Sequence, residues 1–331
     1  MFRVGLNPYG FAHTVGLQAI GTPRANPEGS GLAGFVAIAR EIGAQCLEFD
    51  GRWLAPLSEA ELRRLARTLP DVPRLCSYWL HHQPDETLDE AIRATRAIGG
   101  SVIRMHLTPV LEGARARQGA RWGRMLAHAR TILNSEAPKA ADAGLSIAIE
   151  NHQDLGSEEL LAFAEEAGEN VGLVFDTGNA FAVAEDPIAF ATRAAHRIRH
   201  LHLKDYVSQF TPEGFRLIRC PIGGGCVPVE ELAALLERSS PSLTASIEVG
   251  ALDVRHIRVF TAGWWEGYPA RPAAELQCAL ERLKSNRLDD NADYRTPWER
   301  AESTSAIVAY EQRQLHASVH NLRRLGLMRK A

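Results

Sequence analysis

Short runs rich in Val, Ile, Leu and Phe alternate along this chain with longer segments whose apolar residues recur at helical spacing. That alternation is the mark of repeated βα units. It predicts strands over residues 2–6, 46–49, 74–80, 102–107, 145–150, 171–175, 198–203 and 243–249. Helices are predicted over 31–42, 59–69, 86–98, 122–143, 157–167, 187–195 and 229–236, with Ser157 as a candidate N-cap. The run Leu-Ser-Ile-Ala-Ile-Glu ending at Glu150 is almost wholly apolar, as a parallel strand covered on both faces requires. Eight strands alternating with helices through right-handed crossovers predict an α/β fold, a closed (β/α)8 TIM barrel. A doubly wound open sheet is the alternative, but no G-x-G-x-x-G turn follows the first strand.

After residue 249 about eighty residues remain, more than one barrel helix needs. Residues 273–283 read as the eighth helix, and the charged, helical-period stretch 298–325 as an appended one. This divides the chain into a barrel over 1–285 and a C-terminal helical extension over 286–331, which covers the barrel or pairs with a second copy in a homo-oligomer.

Composition narrows the class. With 45% hydrophobic and 23% charged residues in a chain of 331, the core is large enough to need no disulfides or structural metal. A net charge of −3 argues against a general polyanion binder, so no nucleic acid partner is expected. The cysteines are Cys46, Cys76, Cys220, Cys226 and Cys278; they form no Cys-x-x-Cys pair and read as incidental thiols of a reducing compartment. No apolar run approaches the ~20 residues of a membrane span and no leader pattern opens the chain. The expected location is cytoplasmic, with no membrane partner.

Four polar residues stand where a barrel places its chemistry. Glu150 and Asp176 close apolar strands, and His202 and Glu248 sit within two more. The first three are spaced by 26 and 26 residues, one βα unit each, and the last lies 46 further on, leaving room for a longer loop. The C-terminal ends of successive barrel strands converge on one mouth, so these side chains should meet. Taken singly, each reads as a strand-end cap or a satisfied core histidine. Together, three carboxylates at close range need a cation between them. Three oxygens and one imidazole favour one divalent metal, Mn2+ first and Mg2+ or Co2+ next, over structural zinc.

The segments Ile-Ala-Ile-Glu-Asn-His, Val-Phe-Asp-Thr-Gly-Asn, His-Leu-His-Leu-Lys-Asp-Tyr and Ser-Ile-Glu-Val-Gly resemble the sugar phosphate isomerase/epimerase superfamily of xylose-isomerase-like barrels. The resemblance runs over roughly residues 1–250 and implies that Glu150, Asp176, His202 and Glu248 are the metal ligands, with His202 chosen over His200. It implies a keto-sugar or sugar acid as the small-molecule substrate. The metal polarises its carbonyl, while Glu150 and Glu248 remove and return a proton on the neighbouring carbon. Reprotonation of the resulting enediolate gives an isomerase or epimerase. Loss of water or CO2 through the same species gives a lyase, such as a dehydratase or 3-oxo-isoapionate decarboxylase. The related DNA-repair nucleases need further metal ligands and a basic face, and neither is clear in this sequence.

Around the metal, His152, Lys204, Arg104 and His106 are candidate substrate-binding residues. Arg104 and His106 alternate on the fourth strand and so face the barrel interior together. Tyr78, Trp79 and His81, and Trp264, Trp265 and Tyr268, are candidate pocket walls. The run Gly223-Gly224-Gly225 after the seventh strand could cradle a phosphate. Two departures stand out against tagatose-epimerase-like proteins: Asn179 replaces a histidine and Ser208 an arginine, which weakens the case for a free ketohexose epimerase.

Overall fold

Strands β5 (Ser146–Glu150) and β6 (Val171–Asp176) are apolar nearly to their terminal carboxylates, and every residue of β6 is buried. Such strands must be covered on both faces, by a filled interior and an outer layer of helices. In the computed structural model, which describes residues 2–240 and 242–329, eight parallel strands close into a barrel. The others are β1 (Arg3–Leu6), β2 (Leu47–Asp50), β3 (Arg74–Trp79), β4 (Val102–His106), β7 (Ile198–Leu203) and β10 (Thr244–Ile247). Neighbouring strands follow chain order, and β10 closes the ring by pairing in parallel with β1. Gly5 sits at this closure because any Cβ there would overlap the Cys46 backbone of the adjoining strand.

The 46-residue interval between His202 and Glu248 holds more than a loop. β8 (Tyr206–Thr211) and β9 (Gly214–Arg219) form a hairpin, and β11 (Arg255–Ile257) adds to it as a three-stranded antiparallel sheet beside the mouth. The hairpin is absent from the predicted strands because β8 has no period-two alternation: Tyr206 and Val207 are adjacent apolar residues and Ser208 and Gln209 adjacent polar ones.

The helices in chain order are α1 (Gly31–Glu41), α2 (Gly51–Leu54), α3 (Glu59–Thr68), α4 (Asp89–Ala97), α5 (Ala120–Asp142), α6 (Ser157–Ala167), α7 (Pro187–Ala194) and α8 (Val229–Ser239). At two helix starts the capping differs from expectation. Glu86 does not open α4; its carboxylate accepts the N–H groups of His81 at 2.6 Å and His82 at 2.8 Å and so shapes the β3–α4 loop. Ser157 is the first helical residue of α6 and Gly156 the cap; the Ser157 hydroxyl and N–H both donate to Glu185 at 3.0 Å. No helix among the described residues is long and apolar enough to cross a membrane.

The segment read as an eighth barrel helix forms α9 (Ala273–Ser285), but it lies against α7 and the start of α8. Glu275 pairs with Arg193 at 2.7 Å, and Arg282 reaches Asp186 and Glu231. It is α10 (Thr304–Arg324) that makes the contacts of the eighth barrel helix. Leu315, Val319 and Leu322 join the main core, and Arg323 reaches the Ile42 carbonyl at the end of α1 at 2.9 Å. Near its start, Glu311 accepts the N–H of His13 at 3.1 Å, the N–H of Thr14 at 2.8 Å and the Thr14 hydroxyl at 2.7 Å. Glu311 is fully buried, so these donors have no water to fall back on. Glu311→Ala should cost about 3 kcal/mol in chemical denaturation and strip hydrogen-exchange protection from His13 and Thr14. The exposed Glu302→Ala should cost about 0.5 kcal/mol or less.

Candidate metal centre

The upper barrel interior is polar where most barrels are filled with branched apolar side chains. Glu48 of β2, Ser77 of β3, Arg104 of β4, Glu150 of β5, Asp176 of β6 and His202 of β7 are all buried in it. Ligand atoms of Glu150, Asp176, His202 and Glu248, four residues from successive strand ends, lie within 4.8 Å of one another.

Three of the four are aimed by bonds to their other atom, whereas Glu150 has both oxygens engaged, Oε2 by Arg104 and His106 and Oε1 by Asn179. Asp176 Oδ1 accepts the N–H groups of Gly178 at 3.0 Å and Asn179 at 3.1 Å, which leaves Oδ2 facing the centre. The Asn151 amide clamps the Asp176 backbone from both sides, at 2.6 Å to its N–H and 2.9 Å to its carbonyl. Thr177 does the same for the next strand end, bonding the Lys204 carbonyl at 2.8 Å and its N–H at 3.0 Å. His202 Nε2 meets Glu48 Oε2 at 2.8 Å, so Nδ1 is the atom presented to the carboxylates. Glu248 Oε1 is held by Lys204 Nζ at 2.9 Å. Asp176 Oδ2, His202 Nδ1 and Glu248 Oε2 are then left buried without hydrogen bonds. Lys204 Nζ stands 2.5 Å from Asp176 Oδ2 as an ion pair, at an angle that makes no hydrogen bond.

Charge gives a second test of fit. Glu48, Glu150, Asp176 and Glu248 are four buried carboxylates, while Arg104 and Lys204 are the two fixed cations among them. With the imidazoles neutral, two negative charges remain, the charge of one divalent ion. Burial alone would depress the His202 pKa, yet Glu48, Glu248 and Glu150 together hold it well above its ordinary value. Asp176 is pushed up to about 6 by burial, Glu248 and Glu150, against the pull of Lys204. The site therefore calls for positive charge at the spot the unpaired atoms face, and its donor set fits a divalent metal.

The substrate candidates gather on one side of this spot. Arg104 Nη2 pairs with Glu150 Oε2 and also reaches His106 Nε2, and His106 Nε2 lies 3.1 Å from the same Glu150 oxygen. The His152 ring packs on His106 with centroids 4.1 Å apart, and Trp79 meets His106 edge-on at 4.2 Å. All four candidates, Arg104, His106, His152 and Lys204, line a cavity of about 910 Å3 together with Glu248, Tyr78, Trp79 and His81.

Three candidate features lie elsewhere. Trp264, Trp265 and Tyr268 form their own cluster, in which the indole N–H of Trp264 donates to Glu112 and the Tyr268 hydroxyl to Gly113. The triple-glycine run holds no open anion cradle. The N–H groups of Gly223 and Gly225 donate to Asp205 Oδ2 at 3.0 and 2.8 Å, and that of Val227 to Oδ1 at 3.0 Å. Gly225 is required because a Cβ would strike that carboxylate. Ser208 turns away to the Leu283 carbonyl, at 2.6 Å. Asn179 is at the site, with its amide nitrogen 3.4 Å from Glu150 Oε1.

Sequence reasoning missed Glu48, Tyr9 and Asp50. Glu48 was placed on a strand but read as part of its pattern, although a charged residue in an otherwise apolar strand was the available signal. Tyr9 accepts from the Trp79 indole at 2.9 Å and donates to Asp50 at 2.8 Å, walling the cavity.

A closed parallel barrel with carboxylates and an imidazole converging at its mouth defines a metal-site barrel, and the sequence profile described as Xylose isomerase-like TIM barrel matches residues 36–257. The chain belongs to that family. It is 30% identical over 171 residues to the uncharacterized protein YihM of Escherichia coli K12, covering 48% of this chain and 47% of that protein. It is 33% identical over 111 residues to an inosose dehydratase of Clostridium botulinum, covering 32% and 36% respectively. The chain thus aligns with less than half the length of these curated relatives. The solved structure of L-ribulose 3-epimerase shares the fold, with a TM-score of 0.55 at 17% identity over 86% of this chain and 95% of that one.

Two outcomes follow from the way His202 is held. Glu48→Ala should weaken Mn2+ binding by about 10- to 100-fold in competition titrations, and Glu48→Gln, which still accepts from Nε2–H, by less. Because His202 is protonated in the metal-free protein and must release that proton to coordinate, Mn2+ affinity should rise with pH. Above about pH 6, where Asp176 is ionised, the slope should be about tenfold per pH unit while the ring stays charged, with proton release visible by calorimetry in buffers of different ionisation enthalpy.

Proposed function

We propose that this chain is a divalent-metal-dependent isomerase or epimerase of a small keto-sugar or sugar acid, working by proton transfer at the carbon beside the carbonyl. The observation that carries this reading is the convergence of three buried atoms that make no hydrogen bond, Asp176 Oδ2, His202 Nδ1 and Glu248 Oε2, the last two 2.9 Å apart, beside a cavity lined with donors. Glu150, Asp176, His202 and Glu248 would hold the ion, which when bound supplies Lewis-acid polarisation of the substrate carbonyl.

The remaining chemistry belongs to the side chains. Against burial, Arg104, His106 and His202 hold Glu150 well below the usual carboxylate range, and Lys204 and His202 do the same for Glu248. Both are ionised at neutral pH and are proton acceptors at rest. Burial and neighbouring charge keep His106 and His152 uncharged; His106 Nε2 is engaged by Arg104 and Glu150, so that ring has Nδ1 free, while the His152 ring can donate from one nitrogen and accept at the other. Lys204 stays charged next to Glu248 and stabilises negative charge as it builds on the substrate oxygens. Tyr9 and Trp79 close the wall with rings on which a sugar face can pack.

A second reading, a lyase on a 3-oxo sugar acid, shares the first proton transfer. It is favoured by the segment similar to inosose dehydratases and by the nearness of Arg104 and Lys204, which suit a carboxylate. Incubating the Mn2+-loaded protein with keto-sugars and their acids in D2O separates the outcomes. Deuterium in an isomeric product supports the isomerase, loss of water or CO2 the lyase, and no exchange with any of them counts against both. Glu150→Gln and Glu248→Gln should each slow exchange by about 10²- to 10⁴-fold while the circular dichroism spectrum is unchanged.

A further inference from the structure

Three clusters of buried metal-type donors occur among the described residues. One is the candidate centre itself. A second, Glu48 with His200 and His202, is internally satisfied: His200 bonds Thr244 at 2.6 Å and Ser246 at 2.9 Å, and His202 Nε2 bonds Glu48. The third, His106 with Glu150 and His152, is different. It shares Glu150 with the candidate centre: His106 Nε2 lies 3.1 Å from Glu150 Oε2, and Nδ1 of His152 is buried without a hydrogen bond. His106 is only 3% exposed, so no bulk water satisfies its ring. A carboxylate shared between two such donor groups is the arrangement that bridges two divalent ions about 3.5–4 Å apart.

A guanidinium stands in that second position. Arg104 Nε and Nη2 both reach Glu150 Oε2, Nη2 also meets His106 Nε2, and Glu48 Oε1 lies 3.9 Å away. The Tyr9 and Trp79 rings flank it, with centroids 5.5 and 5.7 Å from Cζ, so aromatic faces help hold it there. A divalent ion could not join it on the same carboxylate oxygen without strong repulsion in a low-dielectric interior. The charge count points the same way, because one divalent ion with Arg104 and Lys204 already balances the four carboxylates.

We propose that Arg104 is a built-in second cation, occupying a latent divalent-metal site formed by Glu150, His106 and His152 and so keeping the centre mononuclear. The site rests on the metal-dependent reading above, and its ligand is a hard or borderline divalent ion such as Mn2+ or Co2+. Removing the guanidinium vacates the pocket and leaves Glu150 without its counter-cation. A second divalent ion, held by Glu150 and the two neutral imidazoles, more than replaces the lost charge.

The experiment is titration of metal-stripped protein with Mn2+, counting retained equivalents and recording low-temperature electron paramagnetic resonance for spin coupling. Wild type should retain one equivalent without coupling. Arg104→Ala and Arg104→Gln should each retain two, with a coupled signal, and adding His106→Ala to either should return the count to one. Arg104→Lys, which keeps the charge, should stay at one. If either variant unfolds when stripped, excess Mn2+ during refolding should rescue it, and failure of that rescue counts against the proposal. One equivalent in folded Arg104→Ala and Arg104→Gln overturns it, as do two coupled equivalents in wild type. Wild type that binds no ion at all would instead sink the metal-dependent reading, so the two failures are distinguishable.

Discussion

Negative charge that cannot escape to water organises the mouth of this barrel. Glu48, Glu150, Asp176 and Glu248 are nearly devoid of solvent, and like charges at such range protonate, separate or acquire counter-cations. The chain supplies two of those cations covalently, Arg104 and Lys204, and shapes the remaining space for a divalent ion. Much else around the mouth follows from holding these groups still. His202 needs Glu48 behind it to present Nδ1, and Glu48 needs the Ser77 hydroxyl, 2.7 Å away, to satisfy its other oxygen.

The strand ends are tied by side chains as well as by the backbone ladder. Asn151 and Thr177, each one residue past its strand, donate their N–H groups to Val174 and His202, and their side chains bond the backbone of Asp176 and Lys204. A centre positioned in this way moves with the barrel wall, so little ordering remains for a ligand to impose. The β1–α1 loop that walls the cavity has no such ladder. It is fastened by Glu311 from α10 and by Arg219, which donates to the Gly10 carbonyl at 2.8 Å. The last helix of the chain therefore shapes the pocket from a distance of some three hundred residues in sequence.

Legibility from sequence was uneven for physical reasons. Parallel strands buried on both faces announce themselves as apolar runs, and a carboxylate or imidazole at such a strand's end is conspicuous, which is why Glu150, Asp176 and His202 stood out. Glu48 was overlooked because the run Cys-Leu-Glu-Phe alternates like any half-buried strand, and its partner His202 lies 154 residues away. The glycine run misled for a related reason. Its free N–H groups are the ones a phosphate would use, but Asp205 reaches them first, and nothing local in the chain says so.

By itself the sequence determined the order of the eight barrel strands and seven of the helices between them, the closure into a barrel and the donor types at successive strand ends, because periodicity and strand polarity are local properties. Tertiary structure decided which of each donor's atoms is free, that Arg104 settles against Glu150 and His106, and that α10 and not α9 makes the eighth helix's contacts. Those outcomes depend on distances between residues far apart in the chain and on charges that balance only when brought together, and no local pattern encodes either.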